Sequence, residues 1–291
     1  MSRVAVVTDT TQYLPREIVE RHGLRLVPLY VNWNGRTDRE SDLGDYDAFY
    51  EYLRTSDGDL PSTSQPSVGD FLAVYEPLVE EGADILSIHL SGGISGTVHA
   101  AEQARDALVE RGVAPERVLV LDSRTGCAGH GLMAIAAVNA ATRGADLQGA
   151  AAAARALAAE MRLLFAVDTL EFLRRGGRIG AARAWIGSAL KVKPILTIQN
   201  EIVPVERVRT TGRATERLVQ ELRDDRAAGA DVFFIQHIQA RDAAERLAAR
   251  GREIYGRDPE FVSEIGPVIG AHVGPGLIGV TGVRSVLLGP V

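Results

Sequence analysis

Ile85-Leu86-Ser87-Ile88-His89-Leu90-Ser91-Gly92-Gly93-Ile94-Ser95-Gly96-Thr97 decides the fold class. Residues 85–89 form a short apolar run of strand length. The glycine-serine stretch 91–97 cannot extend that strand and makes a turn, and 98–110 follows as a helix. The same succession recurs through the first half of the chain. A strand over 4–7 leads through Thr8-Asp9-Thr10-Thr11 into a helix over 15–22, with Pro15 suited to its first turn. A strand is expected over 24–31 and a helix over 46–53. The helix over 68–81 has Ser67 as its N-cap and Asp70 at the capping-box position. A strand over 118–121 passes through Asp122-Ser123 into an alanine-rich helix over 127–141. This order predicts an α/β fold whose sheet is mostly parallel and flanked by helices. In such sheets the loops after the strands' carboxyl ends line the ligand crevice. Hydroxyls fall in these loops at Thr8, Thr63, Ser91 with Ser95, and Ser123.

The second half is less regular. An alanine-rich helix over 146–160 reads as a connector. A strand over 163–167 and a short helix over 170–173, broken at Gly176-Gly177, precede a helix over 181–190. Segments 194–198 and 202–209 read as a hairpin across Asn200-Glu201. Helices over 215–227 and 242–255 then alternate with strands over 232–238 and 261–265, and the glycine-rich 270–276 reads as a rigid loop before a strand over 277–281. The expected organisation is an N-terminal α/β domain at 1–155 and a C-terminal α+β domain at 156–291.

Composition narrows the function. The 291 residues are 46% apolar and 24% charged, which is ordinary for a globular protein and unlike a disordered or fibrous one. The formal charge of −6 argues against nucleic acid as a partner. Cys127 is the only cysteine, so neither an internal disulfide nor zinc-type spacing can occur. The histidines form no paired metal pattern, and neither a metal nor a cofactor is expected. No apolar run approaches the roughly 18–20 residues that span a bilayer. The N-terminus turns polar too soon for a signal peptide, so the expected location is cytoplasmic.

Several motifs carry chemistry, each beside a plainer reading. Ser91 to Thr97 could let backbone N–H groups approach an anion, or could be a tight turn with helix caps. It is neither a Walker A loop nor a nucleophile elbow, since Thr97 stands where the elbow needs glycine. Thr63-Ser64-Gln65-Pro66-Ser67 reads as a proline-shaped loop whose hydroxyls serve its own backbone. Arg174-Arg175-Gly176-Gly177-Arg178 offers guanidinium forks for a carboxylate or phosphate, or a solvated helix end. His272 sits in Ala271-His272-Val273-Gly274-Pro275-Gly276, where a rigid loop would aim its ring. His89 and His237 lie on strands as buried partners, and Asp9 reads as a loop organiser. A Cys127–His130 dyad is disfavoured because such pairs are usually distant in sequence.

Taken in order, these motifs resemble the bacterial DegV family, the fatty-acid-binding subunits of fatty acid kinase. The resemblance runs through Val7-Thr8-Asp9-Thr10-Thr11 with Leu14-Pro15, Thr63 to Ser67, Ser91 to Thr97 and Asp122-Ser123. It continues through Leu170 to Ile179, Lys193-Pro194-Ile195-Leu196, Val208-Arg209-Thr210 and Ile269 to Gly276. It implies a two-domain, non-enzymatic carrier that buries one long-chain fatty acid, its carboxyl near the interdomain surface, and presents it to a separate kinase subunit for acyl-phosphate formation. Carried over by motif, the carboxyl ligands are Thr63, Ser95, Arg178 and His272, with Arg174 and Arg175 as rivals to Arg178. Thr10 and Ala271 stand where the family usually has serine. Arg207 and Arg209 are weaker candidates for docking the kinase, and the carrier would allow transient contact with a membrane surface. Two other readings stay open: a small-molecule phosphotransferase using Ser91 to Thr97, and a cytosolic lipid sensor.

Overall fold

The structure, a computed structural model, describes residues 3–55, 61–185 and 192–291. The first elements are β1 (Val4–Asp9), α1 (Arg16–Arg21), β2 (Arg25–Val27), β3 (Tyr30–Trp33), β4 (Arg36–Arg39), α2 (Asp47–Thr55) and β5 (Ser62–Ser64). Next come α3 (Val68–Glu80), β6 (Asp84–His89), α4 (Thr97–Glu110), β7 (Val118–Asp122), α5 (Ala128–Thr142) and α6 (Leu147–Glu160). Then follow β8 (Leu164–Ala166), α7 (Glu171–Arg175), β9 (Lys193–Gln199), β10 (Glu201–Val208), α8 (Thr211–Ala227) and β11 (Val232–His237). The last are α9 (Arg241–Tyr255), β12 (Phe261–Glu264), α10 (Pro267–Val273), β13 (Ile278–Val283) and α11 (Ser285–Leu288). Of the helix expected over 181–190, the described part is a 3-10 helix, Gly180–Trp185, and 186–190 lie outside the described residues.

The chain divides into two compact units. One comprises Met1–Tyr30, Ser64–Glu160 and Ser285–Val291, and the other Val31–Thr63 and Met161–Arg284. The division is discontinuous, whereas the sequence reading drew a single cut at 155/156. Segment 31–63 goes with the later half because its side chains bond there. Tyr50 Oη donates to the Ile265 carbonyl at 2.6 Å, the Val268 N–H donates to Glu40 Oε1 at 2.8 Å, and Arg54 Nη2 donates to Gln239 Oε1 at 2.9 Å.

The first unit holds a four-stranded sheet in the order β2-β1-β6-β7, with every neighbouring pair parallel. Its two central strands, β1 and β6, are buried along almost their whole length, as strands covered on both faces must be. On one face Phe71 and Tyr75 of α3 and Ala100, Ala101 and Ala104 of α4 pack on Val7, Val27 and Ile85. The expected capping box is present: Ser67 Oγ accepts the Asp70 N–H at 3.1 Å, and Asp70 Oδ2 accepts the Ser67 N–H at 2.8 Å. Helix α5 is buried around almost its whole circumference, which its small alanine and glycine side chains permit.

In the second unit a six-stranded sheet runs β10-β9-β8-β13-β11-β12. Its pairs are antiparallel except β11 with β12. Leu218 and Leu222 of α8 and Leu247 of α9 pack on Phe233, Ile235 and Val280. The hairpin β9–β10 turns at Asn200, whose φ of 70° is a conformation asparagine tolerates.

Three expectations change. The strand expected over 24–31 is two strands in two sheets, because Pro28 has no N–H for the ladder and ends β2 at Val27. Thr63 lies on β5, in a three-stranded sheet ordered β4-β3-β5, and not in a loop. His272 lies in the last turn of helix α10, not in a rigid loop, and the helix starts with Pro267 in its first turn.

Candidate functional site

The second unit brings three of the four expected ligands together. Strand β5 presents Thr63 and helix α10 presents His272, and Thr63 Oγ1 lies 2.7 Å from His272 Nε2. His272 Nδ1 is buried and has no hydrogen-bond partner among the described residues. Burial, and then the Arg178 cation, pull the His272 imidazole down to about 4, so it is neutral at pH 7. A buried N–H without an acceptor is costly, so the proton belongs on Nε2, donating to Thr63. That leaves the Thr63 hydroxyl hydrogen free to point elsewhere.

Local sequence sets Arg178 beside this pair. Helix α7 ends in a Schellman motif: the Gly177 N–H donates to the Arg174 carbonyl at 3.2 Å and the Arg178 N–H to Leu173 at 3.0 Å. Gly177 has φ of 70°, the left-handed value this motif needs. A Cβ at Gly176 would stand 2.4 Å from His272 Nδ1, so only glycine lets the imidazole lie against this turn. Arg178 Nη1 donates to the Gly176 carbonyl at 2.8 Å. The two rival arginines are occupied elsewhere. Arg174 grips Glu171 through Nε at 2.8 Å and Nη2 at 2.7 Å, and Arg175 Nε reaches Glu171 at 2.6 Å.

Ser95 belongs to the first unit, in the turn between β6 and α4. Its hydroxyl lies 2.8 Å from Thr97 Oγ1 and accepts the Thr97 N–H at 3.3 Å. The backbone donors from Gly92 to Ser95 are already used. Gly92 N–H goes to Asp122 Oδ1 at 3.1 Å and Gly93 N–H to Ser91 Oγ at 3.2 Å. The Ile94 and Ser95 N–H groups both go to the Ser91 carbonyl at 3.1 Å. A phosphate cradle needs those N–H groups unengaged, and Asp122 adds a negative charge. The geometry therefore disfavours a phosphate cradle built on the Gly92 to Ser95 amides.

Arg207 lies exposed on β10, its guanidinium 5.1 Å from the Trp185 ring centroid, and Arg209 is exposed just beyond the strand. Among the described residues, no group of three His, Cys, Asp or Glu side chains is placed to hold a metal ion. No described helix is long and apolar enough to cross a membrane. Sequence reasoning missed the role of Gly176 as the surface on which His272 rests; the doubled glycine between arginines was its only trace.

The fold defines a class: an α/β protein of two units, with a hydroxyl, an imidazole and a guanidinium gathered in one of them. The DegV family profile, described as "Uncharacterised protein, DegV family", matches residues 3–284. The chain is 43% identical over 286 residues to a DegV domain-containing protein of Streptomyces coelicolor, covering 96% of this chain and 98% of that one. A Thermus thermophilus DegV family protein, described for its fatty acid binding, superposes with a TM-score of 0.87 at 34% identity, covering 97% of this chain and 99% of the other. Bacillus subtilis DegV, described as a fatty acid binding protein, superposes at 0.86 and 34% identity over 98% of this chain and 100% of its own. The chain belongs to the DegV family.

Proposed function

We propose that this protein is a non-enzymatic, cytoplasmic carrier that binds one long-chain fatty acid. It presents the carboxyl group to a separate fatty acid kinase subunit, which forms the acyl phosphate. Thr63, Ser95, Arg178 and His272 are the proposed carboxyl ligands, and Arg207 and Arg209 the weaker candidates for kinase docking. The observation that carries the reading is the cluster in the second unit: Thr63 2.7 Å from a neutral His272, with Arg178 as the cation beside it. A buried carboxylate is costly unless donors meet it, and one cation with neutral donors is the set it requires. The solved relatives described as fatty acid binding, at 34% identity, supply the chemical class of the ligand.

The energetics suit a carrier. Burying 14–16 methylenes is worth roughly 11–13 kcal/mol gross. Lost freedom on binding offsets about 4 kcal/mol or more of this. The tail thus supplies most of the affinity, and the polar cluster fixes where the carboxyl lies.

Denaturing the purified protein, extracting it with organic solvent and weighing the extract by mass spectrometry tests the cargo. About one fatty acid per chain is expected. No release, together with no uptake of added fatty acid by the stripped protein, would end the carrier reading. Acyl-phosphate formation with a cognate kinase, and no ATP turnover by the chain alone, would separate a presenting subunit from a lipid sensor.

A further inference from the structure

In the first unit's sheet, β1 connects onward to β2 on one side and β6 to β7 on the other. The adjacent pair β1 and β6 is therefore the point where the connections diverge, and in open parallel sheets the crevice opens there, beyond the strands' carboxyl ends. Pairing between β1 and β6 stops at Val7 with Ser87. Beyond it, Asp9 stays with Val27 of β2, and His89 stays with Asp122 of β7.

The Asp9 side chain crosses the gap. Its Oδ2 accepts the Leu90 N–H at 3.1 Å and lies 3.0 Å from His89 Nδ1. Its Oδ1 accepts the Thr11 N–H at 3.1 Å and the Thr11 hydroxyl, and lies 3.3 Å from His130 Nε2. Asp9, Thr11, Ser87, His89 and His130 are all fully buried. The proton order is fixed from behind. Tyr75 Oη donates to Ser87 Oγ at 2.6 Å, so Ser87 donates in turn to His89 Nε2 at 2.6 Å. His89 then carries its proton on Nδ1 and donates a hydrogen bond to Asp9 Oδ2. Burial works against the Asp9 charge, but His130 and His89 outweigh it and hold the carboxyl below its ordinary range.

The Leu90 amide is the last backbone donor before the turn that carries Ser95. From there the Ser91 N–H donates to the Thr125 carbonyl at 2.8 Å, and the Ser91 carbonyl accepts the Ser95 N–H at 3.1 Å. We infer that Asp9 is a positioning residue for Ser95: it ties the diverging ends of β1 and β6 together and so fixes the turn that delivers the Ser95 hydroxyl. The inference rests on Ser95 being a carboxyl ligand, as proposed above.

A double-mutant cycle tests it, with cis-parinaric acid as the fluorescent fatty-acid probe. Asp9→Asn keeps the shape but faces the Leu90 and His89 donors with an amide that cannot accept from both sets as the carboxylate does. Probe affinity should fall roughly fivefold, about the size of one neutral hydrogen bond and no further than Ser95→Ala moves it. In the Ser95→Ala background the same substitution should change affinity less than about twofold, while the melting temperature falls equally in both backgrounds. An equal affinity loss in both backgrounds would overturn the inference. Amide hydrogen exchange on the ligand-free wild type needs no variant. The Leu90 N–H should be as protected as that of Ile88 within β6, and exchange at an open-loop rate would also overturn the inference. A wild type that binds no probe would remove the carrier reading instead, while the Leu90 exchange rate would still decide the anchor.

Discussion

His89 and His272 each stand at the end of a regular element, one closing β6 and the other in the last turn of α10, and they are treated in opposite ways. His89 is fully buried with both nitrogens engaged, one by Ser87 at 2.6 Å and the other by Asp9 at 3.0 Å. His272 is partly exposed and engaged by Thr63 through Nε2, while Nδ1 rests against a glycine with no hydrogen-bond partner among the described residues. A histidine whose partners all come from within the protein contributes to structure. One left incomplete, beside a cation, has bonding capacity for something that arrives.

The comparison is most directly broken through stability. His89→Ala leaves a buried carboxylate short of a donor and Ser87 without an acceptor, and should destabilise the protein by about 3–5 kcal/mol. His272→Ala should cost no more than about 1 kcal/mol, since it removes one hydrogen bond at a partly exposed position. Urea denaturation of both variants gives the answer, and equal losses would dissolve the distinction.

Function should reverse that ranking. With a cognate kinase, His272→Ala and Ser95→Ala should lose most acyl-phosphate formation, on the order of 100-fold, because a carboxyl displaced by about 1 Å is poorly aimed at the phosphoryl donor. The same variants should still copurify with fatty acid, their affinity weakened by only about 1–2 kcal/mol. Wild-type turnover in both would show that the carboxyl lies elsewhere.

A smaller effect sharpens the picture of His272 itself. Burial holds its imidazole down to about 4 in the folded protein, while an unfolded histidine titrates near its ordinary value of about 6.5. Between these values the unfolded chain takes up a proton that the folded chain refuses. The stability linked to His272 is therefore complete above about 6.5 and is lost as pH falls toward 4. It should amount to about 1–2 kcal/mol, discounted for partial exposure. His272→Gln should flatten that part of the acid limb, and an unchanged limb would contradict the assignment.

The first unit was the more legible in sequence because its elements are local. An apolar run such as 85–89, a polar turn and a helix declare themselves within about thirty residues. The capping box at Ser67 and Asp70 was readable for the same reason. What escaped depended on distant partners. Thr63 sits between Pro61 and Pro66, which rightly excluded a helix, but Ser62 to Ser64 pair as a strand only because β3 lies alongside. The helix around His272 was hidden by Gly266, Gly270 and Gly274, whose low helix propensity is overridden by packing. The candidate ligands were named through their motifs; the bond between Thr63 and His272, which are 209 residues apart, has no local signature.

The discontinuous division has a consequence for biosynthesis. A ribosome that has made residues 1–160 has released most of the first unit together with segment 31–63, whose companions at 161–284 do not yet exist. During that interval Tyr50 of α2, fully buried in the finished protein, lacks the Ile265 carbonyl that its hydroxyl bonds. The first unit, in turn, waits for 285–291, which follow the second unit along the chain. Neither half can be completed vectorially ahead of the other, so the nascent chain holds the apolar face of α2 in reserve until the segment up to 284 has been made.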